Sequence, residues 1–171
     1  MSGATLETTI DDKLVLKAFG ALRRAMGDTT PVMRAIGVGL VEGTHQRFES
    51  ATDPQGQPWA ALNPDYAPTK RGPGILRESA MRGGLMGSIT FRASPGSVEV
   101  GTNKIYAAVH QFGATIQPRE ASHLVFRLAS GVVHARSVTI PARPFLGVSK
   151  ADEQTIAETI TDALDRRMAK P

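Results

Sequence analysis

The chain has 171 residues, no Cys and a formal net charge of +4. That length suits one domain with a core of its own, and the absent thiols exclude disulfides and thiolate metal sites. No apolar run reaches the ~18 residues of a membrane span, and residues 1–13 hold no apolar signal core, so neither membrane insertion nor secretion is expected.

Residues 4–10 alternate around Leu6, Thr8 and Ile10, the pattern of a short edge strand or arm. Asp11 or Asp12 then caps a helix expected to about Met26, with a stripe of Leu14, Ala18, Leu22 and Met26. Gly27-Asp28 stops it. Thr30-Pro31 restarts the helix, Thr30 as the N-cap and Pro31 in the first turn. The second helix is expected to about Ser50, with Met33, Ile36, Leu40 and Thr44 on one face and Val41 and Phe48 alongside. Gly37, Gly39 and Gly43 each cost up to ~1 kcal/mol against Ala in a helix interior. Close approach of another backbone explains them; a weak helix is the alternative.

Residues 52–84 contain Pro54, Pro58, Pro64, Pro68 and Pro73, with Gly56, Gly72, Gly74, Gly83 and Gly84. This density excludes a long regular element, and so long a loop in a compact domain is usually functional. Trp59, Leu62 and Tyr66 are spaced to pin it to the body, and residues 75–81 suit one helical turn. Strands are expected at 85–93 and 97–101 about Ser94-Pro95-Gly96. Residues 105–112 form a short helix that Gly113 ends. A second hairpin is expected from 123–128 and 132–140 about Ala129-Ser130-Gly131, terminated by Pro141 and Pro144. Ser149 caps a last helix over 150–169. Its acids Asp152 and Glu153 sit in the first turn and Arg166 and Arg167 in the last, as the helix dipole favours. Ile156, Ile160, Leu164 and Met168 form its buried stripe. The expected fold is α+β: N-terminal helices and a C-terminal helix packed on an antiparallel sheet, a single domain over 1–171, with 52–84 an extended loop or arm.

The pattern carries little catalytic chemistry. None of His45, His110, His123 and His134 lies at metal spacing from another, although His123 and His134 could approach across their hairpin. There is no Gly-x-Ser-x-Gly elbow, phosphate loop or dinucleotide fingerprint. The Gly-rich run 83–88 precedes a strand, the reverse of a phosphate cradle. The paired acids Asp11-Asp12 and Asp152-Glu153 sit where helix capping explains them, and Asp53 and Asp65 lie on the loop. No enzyme, cofactor or metal is expected, although a hydrolase assembled by tertiary folding stays open. Charge is uneven: residues 66–143 hold ten Lys and Arg against three Glu, a net of +7. A DNA-binding accessory protein using this basic region is therefore the alternative function. It lacks interleaved aromatics for single strands and a basic helix face for duplex, so a solvated basic face explains the charge better.

Two strings remain: Tyr106-Ala107-Ala108-Val109-His110-Gln111-Phe112-Gly113 and Ile140-Pro141-Ala142-Arg143-Pro144-Phe145-Leu146-Gly147. Their order and spacing resemble the phage virion morphogenesis family, the tail-completion proteins of Mu-like and related temperate phages. Asp53-Pro54-Gln55-Gly56 with Trp59 and Leu62 is similar to that family's early loop, and Lys70 to its following basic position. Leu85 and Ser88-Ile89 match the entry to its first long strand, and Val98-Glu99-Val100-Gly101-Thr102 the strand before Tyr106. Residues 75–85 are longer than the family spacing.

The resemblance implies a structural virion protein of the neck or tail end, assembled in the host cytoplasm. It would be a ring subunit, hexameric in expectation, that completes or terminates the tail. Its partners would be copies of itself, the tail tube protein and a head-tail connector or stopper, with DNA in the lumen as a possible contact and no membrane. Pro54, Gly56, Tyr106, Phe112, Gly113, Pro141, Pro144 and Phe145 are then framework positions. Tyr106, Val109 and Phe112 would pack the short helix onto the sheet. Arg143, stiffened between two prolines, is the foremost interface candidate, followed by His110, Gln111, Trp59, Lys70 and Arg71.

Overall fold

The computed structural model describes residues 27–78 and 84–169, together with Lys17, Gly20, Ala21, Arg23 and Arg24, which are helical. The rest of the expected first helix and the expected arm at 4–10 lie outside the described residues. The described elements are helix α1 (Thr30–Ser50), strands β1 (Thr90–Ser94) and β2 (Ser97–Gly101), helix α2 (Ala107–Phe112), strands β3 (Ala114–Ile116), β4 (Leu124–Leu128), β5 (Gly131–Ala135) and β6 (Val138–Ile140), and helix α3 (Lys150–Met168).

Helix α1 begins one residue earlier than its Thr-Pro signal suggests. Thr29 is the N-cap and Pro31 lies in the first turn. The cap is supplied from outside the helix: Asp28 Oδ1 accepts the Thr30 N–H at 2.9 Å. At the other end Ala51 turns left-handed, with φ 55, and its N–H returns to the Arg47 carbonyl.

Helix α1 serves two cores. Its N-terminal half packs Val32, Met33 and Ile36 on Ile156 and Ile160 of α3. Its C-terminal half gives Phe48 to a cluster with Trp59, Leu85, Ile89, Ala107, Phe145 and Leu146. Phe48 meets Trp59 edge-on with ring centres 5.5 Å apart, and Phe145 at 5.2 Å. In the last turn of α1, beside Phe48, Arg47 reaches Asp152 of α3 in a buried ion pair at 2.7 Å.

The α1 glycines are explained by close approach, although side chains rather than another backbone approach them. A Cβ at Gly37 would overlap the Phe91 ring of β1, one at Gly39 would lie 2.8 Å from Thr155 Cγ2, and one at Gly43 would overlap the Asp152 carboxylate. Intrinsic propensity was outweighed by packing.

The strands form three separate two-stranded antiparallel ladders, β1-β2, β3-β6 and β4-β5, instead of one sheet. The α+β class holds. The β1-β2 hairpin turns at Pro95-Gly96, with φ 88 at Gly96, and places Phe91 opposite Val100. Residues 85–89, expected in that first strand, instead turn through a short 3-10 helix, Met86–Ser88. This buries both Leu85 and Ile89 in the core. The expected strand 132–140 is two strands. Arg136 and Ser137 are both exposed, so the in-out alternation slips by one residue, which a continuous ladder does not tolerate. β5 accordingly stays with β4, while β6 leaves to pair with β3, Ala114 opposite Ile140.

Residues 52–78 have no long element, as expected, and 75–78 form no helix. The described loop lies back on its own chain instead of reaching away. Trp59 is buried, and the Asp65 carbonyl and carboxylate hold Ala129 N and Ser130 Oγ at the β4-β5 turn, at 3.0 and 2.7 Å. Leu62 is half-buried, but Tyr66 is exposed and does not pin the loop.

Replacing Gly43 by Ala should test the close approach. Helix propensity alone predicts a gain of ~1 kcal/mol. Because Asp152 is fixed by Arg47, the expected result is instead a loss of about 1–3 kcal/mol from overpacking, read from the urea denaturation midpoint.

Candidate functional site

The second string runs from the end of β6 to the N-cap of α3, and the chain grips it from three sides. Gln111, at the inner face of α2, accepts the Phe145 and Leu146 N–H groups at Oε1, both at 3.0 Å, and donates from Nε2 to the Leu146 carbonyl at 2.9 Å. Its amide therefore stands in for a neighbouring strand. Trp59 Nε1 donates to the Pro144 carbonyl at 2.8 Å. From α1, Arg47 Nε donates to the Phe145 carbonyl at 2.9 Å and Nη2 to the Gly147 carbonyl at 3.2 Å.

The same guanidinium binds Thr44 Oγ1 at 2.9 Å and Asp152 Oδ2 at 2.7 Å. Asp152 Oδ2 also accepts the Ser149 N–H and hydroxyl, each at 2.8 Å, and Ser149 Oγ accepts the Asp152 N–H in return. This is a capping box with Asp in the Glu position. The expected cap by Ser149 is therefore present. The expectation missed that its acid is buried against Arg47.

Arg143, expected at an interface, is buried at 5% exposure. Its Nε and Nη2 donate to the Ala60 and Ala61 carbonyls at 2.8 and 2.9 Å, and its N–H to the His110 carbonyl at 2.7 Å. Burial of a guanidinium demands such partners, so the geometry gives Arg143 the task of fixing the long loop. Gln111 and Trp59 are buried in the same way. Lys70 turns inward too, donating from Nζ to the Arg71, Gly72 and Arg77 carbonyls. Burial lowers its ammonium pKa, and Glu78 opposes that shift. Arg71 alone of the six candidates is exposed on the loop surface, while His110 is half-buried.

The framework residues divide in the same manner. Phe145 is fully buried. A Cβ on Gly113 would stand 2.9 Å from Ala142 N and 3.0 Å from the Ile140 carbonyl, so the two strings touch backbone to backbone. Pro54 packs against Gly147, and Gly56 takes the left-handed φ of 80 that its turn requires. Asp53 closes that turn by accepting the Gln55 and Gln57 N–H groups. Pro141 is exposed and Pro144 half-buried. Tyr106 donates its hydroxyl to Glu78 Oε1 at 3.0 Å, and burial with that bond pushes its pKa up to about 12. Glu78 Oε2 accepts the Leu85 N–H at 2.9 Å.

Phe112 departs from its expected packing role: it is 61% exposed. In a helix of six residues, Ala107 and Gln111 take the inner face, and the next position points away. Ile105 is 79% exposed nearby in sequence, and Ile116, Val125 and Val132 are exposed as well. Sequence reasoning also missed Arg47. Its signal was present: Met33, Ile36, Leu40, Thr44 and Arg47 continue one helical stripe, so a charge stood where a core residue belonged.

Almost every polar group in this site is engaged with main chain. His110 Nδ1 is buried without a hydrogen-bond partner, its ring edge-on to Tyr106 at 6.0 Å. His134 lies opposite Val125, and among the described residues no three His, Asp or Glu gather to hold a metal. The arrangement braces a backbone and leaves apolar side chains outside.

The phage virion morphogenesis family matches residues 10–165. The chain is 31% identical over 134 residues to a putative capsid assembly protein G of Escherichia phage Mu, covering 75% of each chain. It is 30% identical over 148 residues to the Mu-like prophage FluMu G protein 2 of Haemophilus influenzae, covering 86% of this chain and 87% of that one. No solved structure matches it significantly.

Two measurements test the clamp. Gln111→Glu keeps the acceptor but sets a second carboxylate oxygen against the Leu146 carbonyl. The expected loss is about 1–3 kcal/mol at neutral pH. Burial raises the new carboxyl's folded pKa above its unfolded value, so the loss relative to the parent shrinks as pH falls through that raised value. Denaturation at several pH values reads it.

His110 has a lowered pKa, first through burial and then through the Arg143 charge, with Glu78 opposing. The unfolded chain therefore takes up this proton first. The His110 contribution is complete above the unfolded value of about 6.5 and declines as pH falls through it towards the folded value. His110→Gln should remove that acid-side decline from the denaturation profile.

Proposed function

Because the chain belongs to the phage virion morphogenesis family and so has a part in building the phage particle, we propose that it is a ring subunit that completes the head-proximal end of the tail. In this reading it meets the tail tube on one side and a head connector or stopper on the other. It works by shape and adhesion, without catalysis.

The observation that carries the proposal is a division between the strings and their surroundings. Gln111, Arg143 and Trp59 are spent on main chain of the same subunit, while Phe112 at the end of the first string, and Ile105, Ile116, Val125 and Val132 between residues 105 and 132, stand in solvent. Val125 and Val132 are neighbours across β4-β5, and contiguous exposed apolar surface marks contact with other proteins. For Phe112 the braced backbone beneath holds the side chain in place before any partner arrives, which lowers the ordering cost of binding. DNA recognition is supported less well. Lys70 and Arg143 are engaged with carbonyls, and Arg92 stands opposite Glu99 across β1-β2.

A second reading follows from the printed name of the Mu relative, capsid assembly. Electron microscopy of lysates from a phage with this gene disabled separates the two. Tail completion predicts filled heads beside free tails that do not join. Absent or malformed heads would favour the capsid reading, and normal joined virions would overturn both.

A further inference from the structure

The β4-β5 hairpin belongs to neither core cluster. Two-stranded hairpins are marginal in water without a covered face. Here one face is half-buried and the other, with Val125, Arg127, Val132 and His134, is exposed. Val125 pairs with His134 and Arg127 with Val132, so the two valines are diagonal neighbours on one surface. They are 61% and 56% exposed. Arg127 beside them and Arg136 just past β5 make the patch basic, while the Asp65 carboxylate sits at the hairpin turn, on Ser130.

The chain also carries a surface of opposite sign. Residues 153–165 hold four acids and no Lys, Arg or His. At 100° per residue, Glu158, Asp162 and Asp165 fall on the side of α3 away from buried Ile156 and Ile160, and all three are exposed. Ala157 and Thr161 beside them are small, leaving room for branched side chains. Asp162 lies 3.8 Å from Arg166, which follows this acidic run.

We propose that the β4-β5 hairpin of one copy docks on the outward acidic face of α3 in the next copy. Two different surfaces of opposite charge on one chain make a head-to-tail contact, the type that generates rings. The paired valines favour a protein occupant over a nucleic acid, since phosphate contact needs no apolar centre and the patch has no exposed aromatic to stack a base. The inference rests on the ring reading above and names the contact that closes it.

The test is sedimentation of the full chain and of two double variants, Arg127→Glu with Arg136→Glu, and Glu158→Lys with Asp165→Lys. All four side chains are exposed, and unchanged thermal melting of the monomer verifies folding. Each variant alone opposes like charges at the contact, and its self-association should weaken at least ~10-fold. Mixed in equal amounts, the acidic hairpin of the first meets the basic α3 of the second, and the unaltered surfaces also meet. The mixture should regain assemblies of the parent size. Variants that assemble as well as the parent, or a mixture that stays dissociated, would overturn this contact while leaving a ring of other design. A parent chain that stays monomeric at all concentrations would overturn both. Loss of duplex DNA binding by the arginine variant, with assembly unchanged, would assign the hairpin to DNA instead.

Discussion

The Arg47 guanidinium ties together three parts of the chain that otherwise meet through apolar packing. It holds the Phe145 and Gly147 carbonyls of the Pro-rich string, the Thr44 hydroxyl of its own helix and the Asp152 carboxylate of α3. A charge this deeply placed is costly unless all of its surroundings answer it. Its ion pair is better regarded as a device for position than as a source of net stability. Displacing any one partner leaves the others wrongly solvated, so α1, α3 and the string must adopt one mutual arrangement. Gly43 is part of the same constraint, since only a residue without Cβ lets the Asp152 carboxylate come so near α1.

Around this point the two strings interlock. Gln111 reads the Phe145-Leu146 backbone as a strand would, and Gly113 lets the α2 end approach Ala142. Arg143 then carries the restraint outward to the long loop through Ala60 and Ala61, and Trp59 returns it to Pro144. A segment rich in Pro and Gly, with no ladder of its own, is thus fixed by side chains. The outcome is a firm platform, with apolar side chains such as Phe112 and Ile105 left in solvent. That combination suits a part that must fit neighbours in a particle more than one that turns over a substrate.

Much of this fold was legible in the sequence where the signal was local. Pro31, the Pro95-Gly96 turn and the Ser149 cap each act within a few residues, and α1, the β1-β2 turn with β2, and α3 appeared where expected. The one-residue slip at Arg136-Ser137 was also present in the sequence, but alternation on either side concealed it, and the partition into three ladders followed from it. The site was least legible. Arg143, Gln111 and Trp59 look like contact residues because Arg, Gln and Trp serve interfaces well. They are equally suited to satisfying buried carbonyl and amide groups, and the partners that decided the matter lie 34 to 85 residues away in sequence. Phe112 failed in the opposite direction, since hydrophobicity alone does not say which side of a short helix faces the body.

The central claim is that the string is braced within each subunit and that the outer hairpin is left for assembly. Amide hydrogen exchange on the isolated and the assembled chain addresses it directly. The Phe145 and Leu146 amides should be strongly protected already in the isolated chain and unchanged on assembly, whereas residues 124–135 should become protected only on assembly. Rapid exchange of Phe145 and Leu146 in the isolated chain, or a hairpin indifferent to assembly, would contradict it.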